Sequence, residues 1–175
     1  MKNRSGHFSS YDLAGFKLIA WYQILGGTIG VLLYPWLLID NRTWQTGLVV
    51  LLGLLPNGYS IYAGQQLRKH TQFKPPYLIQ TLQVLNFVGL GITYQLVIGL
   101  ALGPGFEWIQ EPKMVMNFSL LSEYNFGMNQ RGTASIRVVV NFIPIGIIQY
   151  LLIRQQNAAE RQQLREYAEN GGSRG

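Results

Sequence analysis

Arg137 and the three glutamates Glu107, Glu111 and Glu123 are the side chains of this sequence best equipped for chemistry. A guanidinium beside a carboxylate can hold an anion or a lipid headgroup. The same cluster at an interface is what a lipid-acting enzyme would have to work with. The competing use of Arg137 is snorkelling, with its stem in an apolar layer and its charge among headgroups. An arginine at the bilayer centre costs about 2.5–3.5 kcal/mol on insertion scales, and less near an interface.

The remaining catalytic inventory is thin. His7 and His70 are the only histidines and lie far apart in sequence. No His-x-x-x-His, acidic pair or phosphate-cradling loop is present. Cysteine is absent, which excludes disulfides, thiol catalysis and thiolate metal sites. No catalytic residue, metal site or cofactor is expected, and the balance leans away from an enzyme.

A second constellation is made of amides. On a continuous helix Gln80, Gln83, Asn86 and Thr93 would share an arc of roughly 140°. Asn57 and Asn141 could join them. Such a stripe should face protein, because lipid cannot satisfy amides. Its plainer use is hydrogen bonding between helices; its sharper use is the wall of a polar cavity or permeation path. Small residues recur at four-residue spacing in Gly26/Gly30, Ser60/Gly64 and Gly99/Gly103, a pattern that lets helices approach closely.

The elements that must position these residues follow from the clustering of apolar side chains. Charged residues make up 13% of the chain, against about 25% in an ordinary soluble domain. Four apolar runs stand out, at 18–39, 47–67, 77–102 and 134–153. The first would span roughly 33 Å as a helix, enough for a hydrocarbon core of about 30 Å. Trp21, Tyr22, Tyr34 and Trp36 sit near its ends, as interfacial aromatics do. The second run carries Pro56-Asn57-Gly58 at its middle, a kink that neighbouring helices can repair. Gly103-Pro104-Gly105 reads as the breaker that closes the third.

These runs predict an all-α integral membrane protein: a four-helix transmembrane bundle with one sizeable extracytoplasmic loop, 103–133. Residues 1–17 form an N-terminal segment, 18–153 the transmembrane domain and 154–175 a C-terminal tail. The loop is aromatic, and Phe106, Glu107, Trp108, Glu111 and Tyr124 are its candidate contact residues. Met114 to Leu120 partly alternates, as a short strand or an interfacial segment would.

Charge sets the expected orientation. Lys2, Arg4, Lys17, Arg68, Lys69, Lys74, Arg154, Arg161, Arg165 and Arg174 fall on one side of such a bundle. Arg42, Lys113, Arg131 and Arg137 fall on the other. The positive-inside rule then places both termini in the cytoplasm of a multi-pass protein of a plasma or bacterial inner membrane. The net charge of +6 is distributed as flanks of apolar runs, which points to membrane lipid and not to nucleic acid. The function expected is that of a non-enzymatic subunit or accessory factor acting through a protein partner or a homo-oligomer. A small oligomeric transporter or channel is the alternative, and a lipid-acting membrane enzyme the third reading.

Overall fold

The computed structural model describes residues 10–33, 36, 44–69, 73–89, 92–109, 111–120, 123–128 and 136–171. Four helices and six strands follow one another along the chain. Helices α1 (Ser10–Leu33), α2 (Trp44–Arg68) and α3 (Lys74–Val84) come first. Strands β1 (Leu85–Gly89), β2 (Ile92–Val97), β3 (Ala101–Trp108), β4 (Pro112–Ser119), β5 (Glu123–Met128) and β6 (Ile136–Val140) follow, and α4 (Phe142–Gly171) ends the chain. His7, His70 and residues 129–135 lie outside the described residues.

Helices α1 and α2 form an antiparallel pair whose backbones nearly touch. A Cβ on Gly64 would lie 2.6 Å from the Ala20 carbonyl oxygen, and one on Gly27 would lie 2.6 Å from the Asn57 carbonyl oxygen. Gly30 meets the Asn57 side chain, and Ser60 Oγ donates to the Gln23 carbonyl at 3.0 Å. Small residues make this approach available to dispersion forces and backbone dipoles. Pro56 sits inside α2 without ending it. Helix α3 begins with Pro75 and Pro76 in its first turn, where a missing N–H costs nothing.

The strands form one antiparallel sheet in the order β4-β3-β6-β1-β2-β5. The expectation of an all-α four-helix transmembrane bundle is therefore wrong. Strands occupy the second half of the third apolar run, most of the 103–133 segment and the start of the fourth run. The physical reason is periodicity. Hydropathy summed over a window cannot tell a helix from a strand that carries apolar residues on one face. From Leu85 onward the chain is rich in aromatic and β-branched residues, with Gly89 and Gly91 interrupting any helix. The supposed breaker Gly103-Pro104-Gly105 lies inside β3. Pairing between β3 and β6 starts at Gly105, so Pro104 is matched with β4 alone, where its missing N–H is tolerated.

The transmembrane and multi-pass description falls with the bundle. Among the described residues one helix, Leu13–Leu33, is long and apolar enough to cross a membrane by length and composition. The inside–outside count of Lys and Arg presupposed four crossings and loses its basis.

Two apolar clusters hold the helices together. Phe16, Ile19, Ala20, Leu67 and Leu151 form one, flanked by Phe73, Tyr77, Ile147 and Tyr150. Ala63, Ile79, Leu96 and Ile98 form the other and join α2 and α3 to the end of β2.

Candidate functional site

The interior between these clusters is lined by amides. Gln23, Asn57, Ser60, Gln80, Gln83, Asn86 and Asn141 are all buried, none more than 3% exposed. The expected helical stripe is split among one helix and two strands. Gln80 and Gln83 lie on α3, Asn86 on β1 and Thr93 on β2, where it pairs with Val88 and Gly127. What gathers the amides is the chain that leaves β2. Gln83 Oε1 accepts from the Ile98 N–H at 2.8 Å, while its Nε2 donates to the Ile79 carbonyl at 3.1 Å. Asn86 Oδ1 accepts from the Leu96 N–H at 3.0 Å. Asn141 Oδ1 accepts from Leu102 N–H at 3.1 Å and from Ile143 N–H at 3.2 Å. The second of these bonds is that of a helix N-cap, and Asn141 thus ties the start of α4 to β3. Leu96 pairs with β5 but lies beyond the β1 pairing, Leu102 pairs with β4 but lies before the β6 pairing, and Ile98 falls between β2 and β3, so these side chains supply the partners that a strand would have supplied.

Not every amide is satisfied. Both polar atoms of Gln23 and of Gln80 are buried without a partner, as are Asn57 Oδ1 and Asn141 Nδ2. Asn57 Nδ2 donates within its own helix, to the Gly53 carbonyl at 2.8 Å. The difference between Gln83 and Gln80 has a measurable consequence. Gln83→Leu orphans the buried Ile98 N–H and should cost about 1–3 kcal/mol, whereas Gln80→Leu removes two unpaired atoms and should be neutral or stabilising. Denaturant midpoints of the two purified variants check this. Equal losses would remove Gln83 from its bracing role.

Gln23 escapes the sequence reading, and Tyr22, expected as an interfacial aromatic, belongs to this seam instead. Gln23 is the single amide of the first apolar run, and that isolation was the available signal. Tyr22 anchors the β2–β3 connection: its hydroxyl donates to the Ile98 carbonyl at 2.8 Å and accepts from the Leu100 N–H at 3.2 Å. Gly99 lies between these anchors at φ +86°, a conformation that favours glycine, and faces the Tyr22 ring.

Several outer faces of the molecule are apolar. Leu18, Trp21, Leu25, Ile29 and Leu32 are spaced at three and four residues along α1, and all are exposed, Leu18 by 74%. Leu51 and Leu55 on α2, and Leu78 and Leu82 on α3, are exposed in the same way. The sheet repeats the pattern. Register pairs Leu102 with Phe118, Pro104 with Met116, Phe106 with Met114 and Trp108 with Pro112, so these eight residues share one face. Met114 on that face is 84% exposed.

The other face of the β3–β4 hairpin carries the charges. Glu107 stands directly across from Lys113 on β4 and from Arg137 on β6. The Arg137 guanidinium reaches Asn117 Oδ1 at 3.4 Å, and its Nε is buried without a partner. Arg137 thus sits in a strand, against the expectation of a helical span. Among the expected outer contacts, Phe106 and Trp108 pack edge to face with centroids 6.3 Å apart. Glu111 lies in the hairpin turn and shares with Glu107, Ile109 and Lys113 an open depression of ≈ 320 Å³. The Tyr124 backbone pairs with Leu96, and its side chain lies outside the described residues.

Set against protein-family models, curated proteins and solved structures, the chain matches none.

Proposed function

We propose that this protein is a non-enzymatic accessory factor that acts through partners at a lipid surface, with bilayer lipid as the first of those partners. The observation that carries the reading is the apolar outer face of the α1–α2–α3 layer, set against buried amides on its inner side. Gln23, Asn57, Gln80 and Gln83 face inward at 0–1% exposure while leucines, a tryptophan and an isoleucine of α1 face outward. In water an apolar face of this size is costly, since each such side chain gains about 1.5–3 kcal/mol when fully covered. Exposed apolar patches larger than a few hundred Å² mark interaction surfaces. Acyl chains cover such a face without needing a complementary shape. On this reading the protein resides at a membrane face.

The hydrogen bonding of the amides supports a structural part for them over the transport alternative. Gln83, Asn86 and Asn141 each accept from a backbone N–H of the β2–β3 region, which commits them to holding that segment. The lipid-acting enzyme reading needs a tight glutamate–arginine cluster, and the hydrogen bond from Arg137 goes to Asn117.

Flotation of the full chain with neutral phosphatidylcholine vesicles tests the proposal. The expected result is recovery with the vesicles at high salt, where electrostatic attachment is screened. A chain that stays in the aqueous fraction as a monodisperse monomer contradicts it.

A further inference from the structure

We infer that the end of the helical layer formed by the start of α1, the end of α2, the start of α3 and the middle of α4 is a binding surface for anionic phospholipid headgroups. This rests on the lipid-associated reading above and adds a charge preference to it. The juxtaposition comes from one apolar cluster. Phe16, Leu67, Phe73 and Tyr150 all belong to it or pack against it. The Phe16 ring meets Phe73 at 5.3 Å and Tyr150 at 6.3 Å between centroids. Lys17, Arg68 and Lys74 are the immediate chain neighbours of Phe16, Leu67 and Phe73, and Lys69 adjoins Arg68. Arg154, one turn beyond Tyr150, places its guanidinium 5.2 Å from the centre of that ring. Five cationic residues from four helices therefore surround one end of the layer. Lys17, Arg68, Lys69 and Lys74 are exposed.

Among the described residues, counter-charges are few at this end. Between Asp40 and Glu107 the chain contains no acid, and between Asp12 and Asp40 it contains none either. The nearest acid on α4 is Glu160, six residues past Arg154. Asp12 lies on α1 one turn before Lys17, and its side chain is outside the described residues.

Two features select a lipid surface over other polyanions. First, the cationic end is continuous with the apolar outer stripe of α1. Lys17 is followed at once by Leu18, and Trp21 comes one turn later. Second, the Arg68 guanidinium lies 5.2 Å over the Trp21 ring. An indole half-exposed at the boundary between a charged and an apolar zone, with an arginine stacked on it, suits the headgroup layer, where one part of the ring is wet and the other meets acyl chain. Burial also pushes the phenol of Tyr77, which donates to Gln155 Oε1 at this same end, up to about 12. Like any phenol it is neutral at physiological pH and adds no negative charge here.

Each Lys or Arg near an anionic leaflet strengthens attachment about fivefold, so a triple neutralisation should cost about 100-fold. The experiment compares binding of the full chain to vesicles of phosphatidylcholine alone and to vesicles containing phosphatidylglycerol, for wild type and for Arg68→Gln/Lys69→Gln/Lys74→Gln. Wild type should prefer the anionic vesicles by 10-fold or more. The triple variant should lose about 100-fold of that preference, keeping the share of Lys17 and Arg154, while binding neutral vesicles as wild type does. Millimolar inorganic phosphate should displace neither. Equal wild-type binding to both vesicles overturns the inference and leaves the lipid-associated reading standing. Failure of wild type to bind neutral vesicles strikes the reading itself. An anionic preference as large in the variant as in wild type, or displacement by inorganic phosphate or by RNA at equal charge, overturns the headgroup assignment. Far-ultraviolet circular dichroism of the variant should match wild type, and Lys17→Gln, on a different helix, should reproduce about a fivefold share of the loss.

Discussion

Exchanging Leu25 and Ile29 together for glutamate is expected to reduce partition of the protein into neutral vesicles by about 100-fold or more, with its helix content unchanged. Both side chains are exposed on the outer stripe of α1, Leu25 by 55% and Ile29 by 41%. Neither belongs to either apolar cluster, so the exchange leaves both clusters intact. Glutamate is as good a helix former as leucine. The loss of two apolar contacts with acyl chain, at about 1.5 kcal/mol or more each, gives the hundredfold figure. Moving two carboxylates towards hydrocarbon adds to it. Leu25→Ala/Ile29→Ala should fall between wild type and the glutamate pair. The check is a vesicle-binding isotherm alongside circular dichroism. Unchanged binding would place the lipid-facing surface elsewhere, and loss of helix would mean that the stripe is packed inside the protein.

The second large effect concerns the α1–α2 contact. Gly64→Val is expected to destabilise the protein by about 3 kcal/mol or to prevent its folding. The added Cβ would approach the Ala20 carbonyl oxygen to 2.6 Å and Ile24 Cγ1 to 2.7 Å. A backbone carbonyl cannot turn aside, so the helices must separate. Overpacking of a close contact costs typically about 1–3 kcal/mol, and valine adds two further methyl groups. Separation would also loosen the Ser60–Gln23 bond one turn away. Gly58→Ala, on the same helix, is the contrasting case. Its Cβ would meet nothing within 4 Å, so the exchange should stabilise by about 0.5–1 kcal/mol through the glycine penalty alone. Thermal and denaturant unfolding in a single mild detergent measure both. Similar, small effects of the two substitutions would contradict the close approach of α1 and α2.

How much of this was legible in the residues depends on which physical signal carried it. The outward stripe of α1 and the small residues at 26, 30, 60 and 64 are written at helical spacing, and the structure places Gly30, Ser60 and Gly64 at the α1–α2 contact. The sheet was hidden because its two faces average into an apolar run. Leu85 and Phe87 alternate with Asn86, and Tyr94 and Leu96 with Thr93 and Gln95. A window of twenty residues sees the apolar members and loses their period. Pro104 misled for a related reason, since a proline between two glycines reads as a terminator unless one knows that the strand is unpaired on that side.

The candidate site was legible as a set of residue types and not as an arrangement. Gln80, Gln83, Asn86 and Asn141 stand out as amides among leucines and valines. The partners of Gln83, Asn86 and Asn141 are backbone groups at 98, 96 and 102, which no spacing rule connects to them. Glu107 and Arg137 belong together only through the β3–β6 register, thirty residues apart. Tyr22 reaches a connection more than seventy residues distant. Long-range pairing of this kind is decided by the topology, and one sequence does not display it.

The central claim is that the outer stripe of α1 is covered by acyl chains while the amide seam is sealed within. Fluorescence of Trp21 tests it most directly, because Trp21 lies on that stripe and is 47% exposed. The measurement uses a variant with Trp36, Trp44 and Trp108 exchanged for phenylalanine, reconstituted in vesicles whose acyl chains carry bromine. The account predicts strong quenching of Trp21 by the brominated chains and weak quenching by aqueous iodide. Strong iodide quenching with no response to bromine would show a water-facing stripe and would contradict the account.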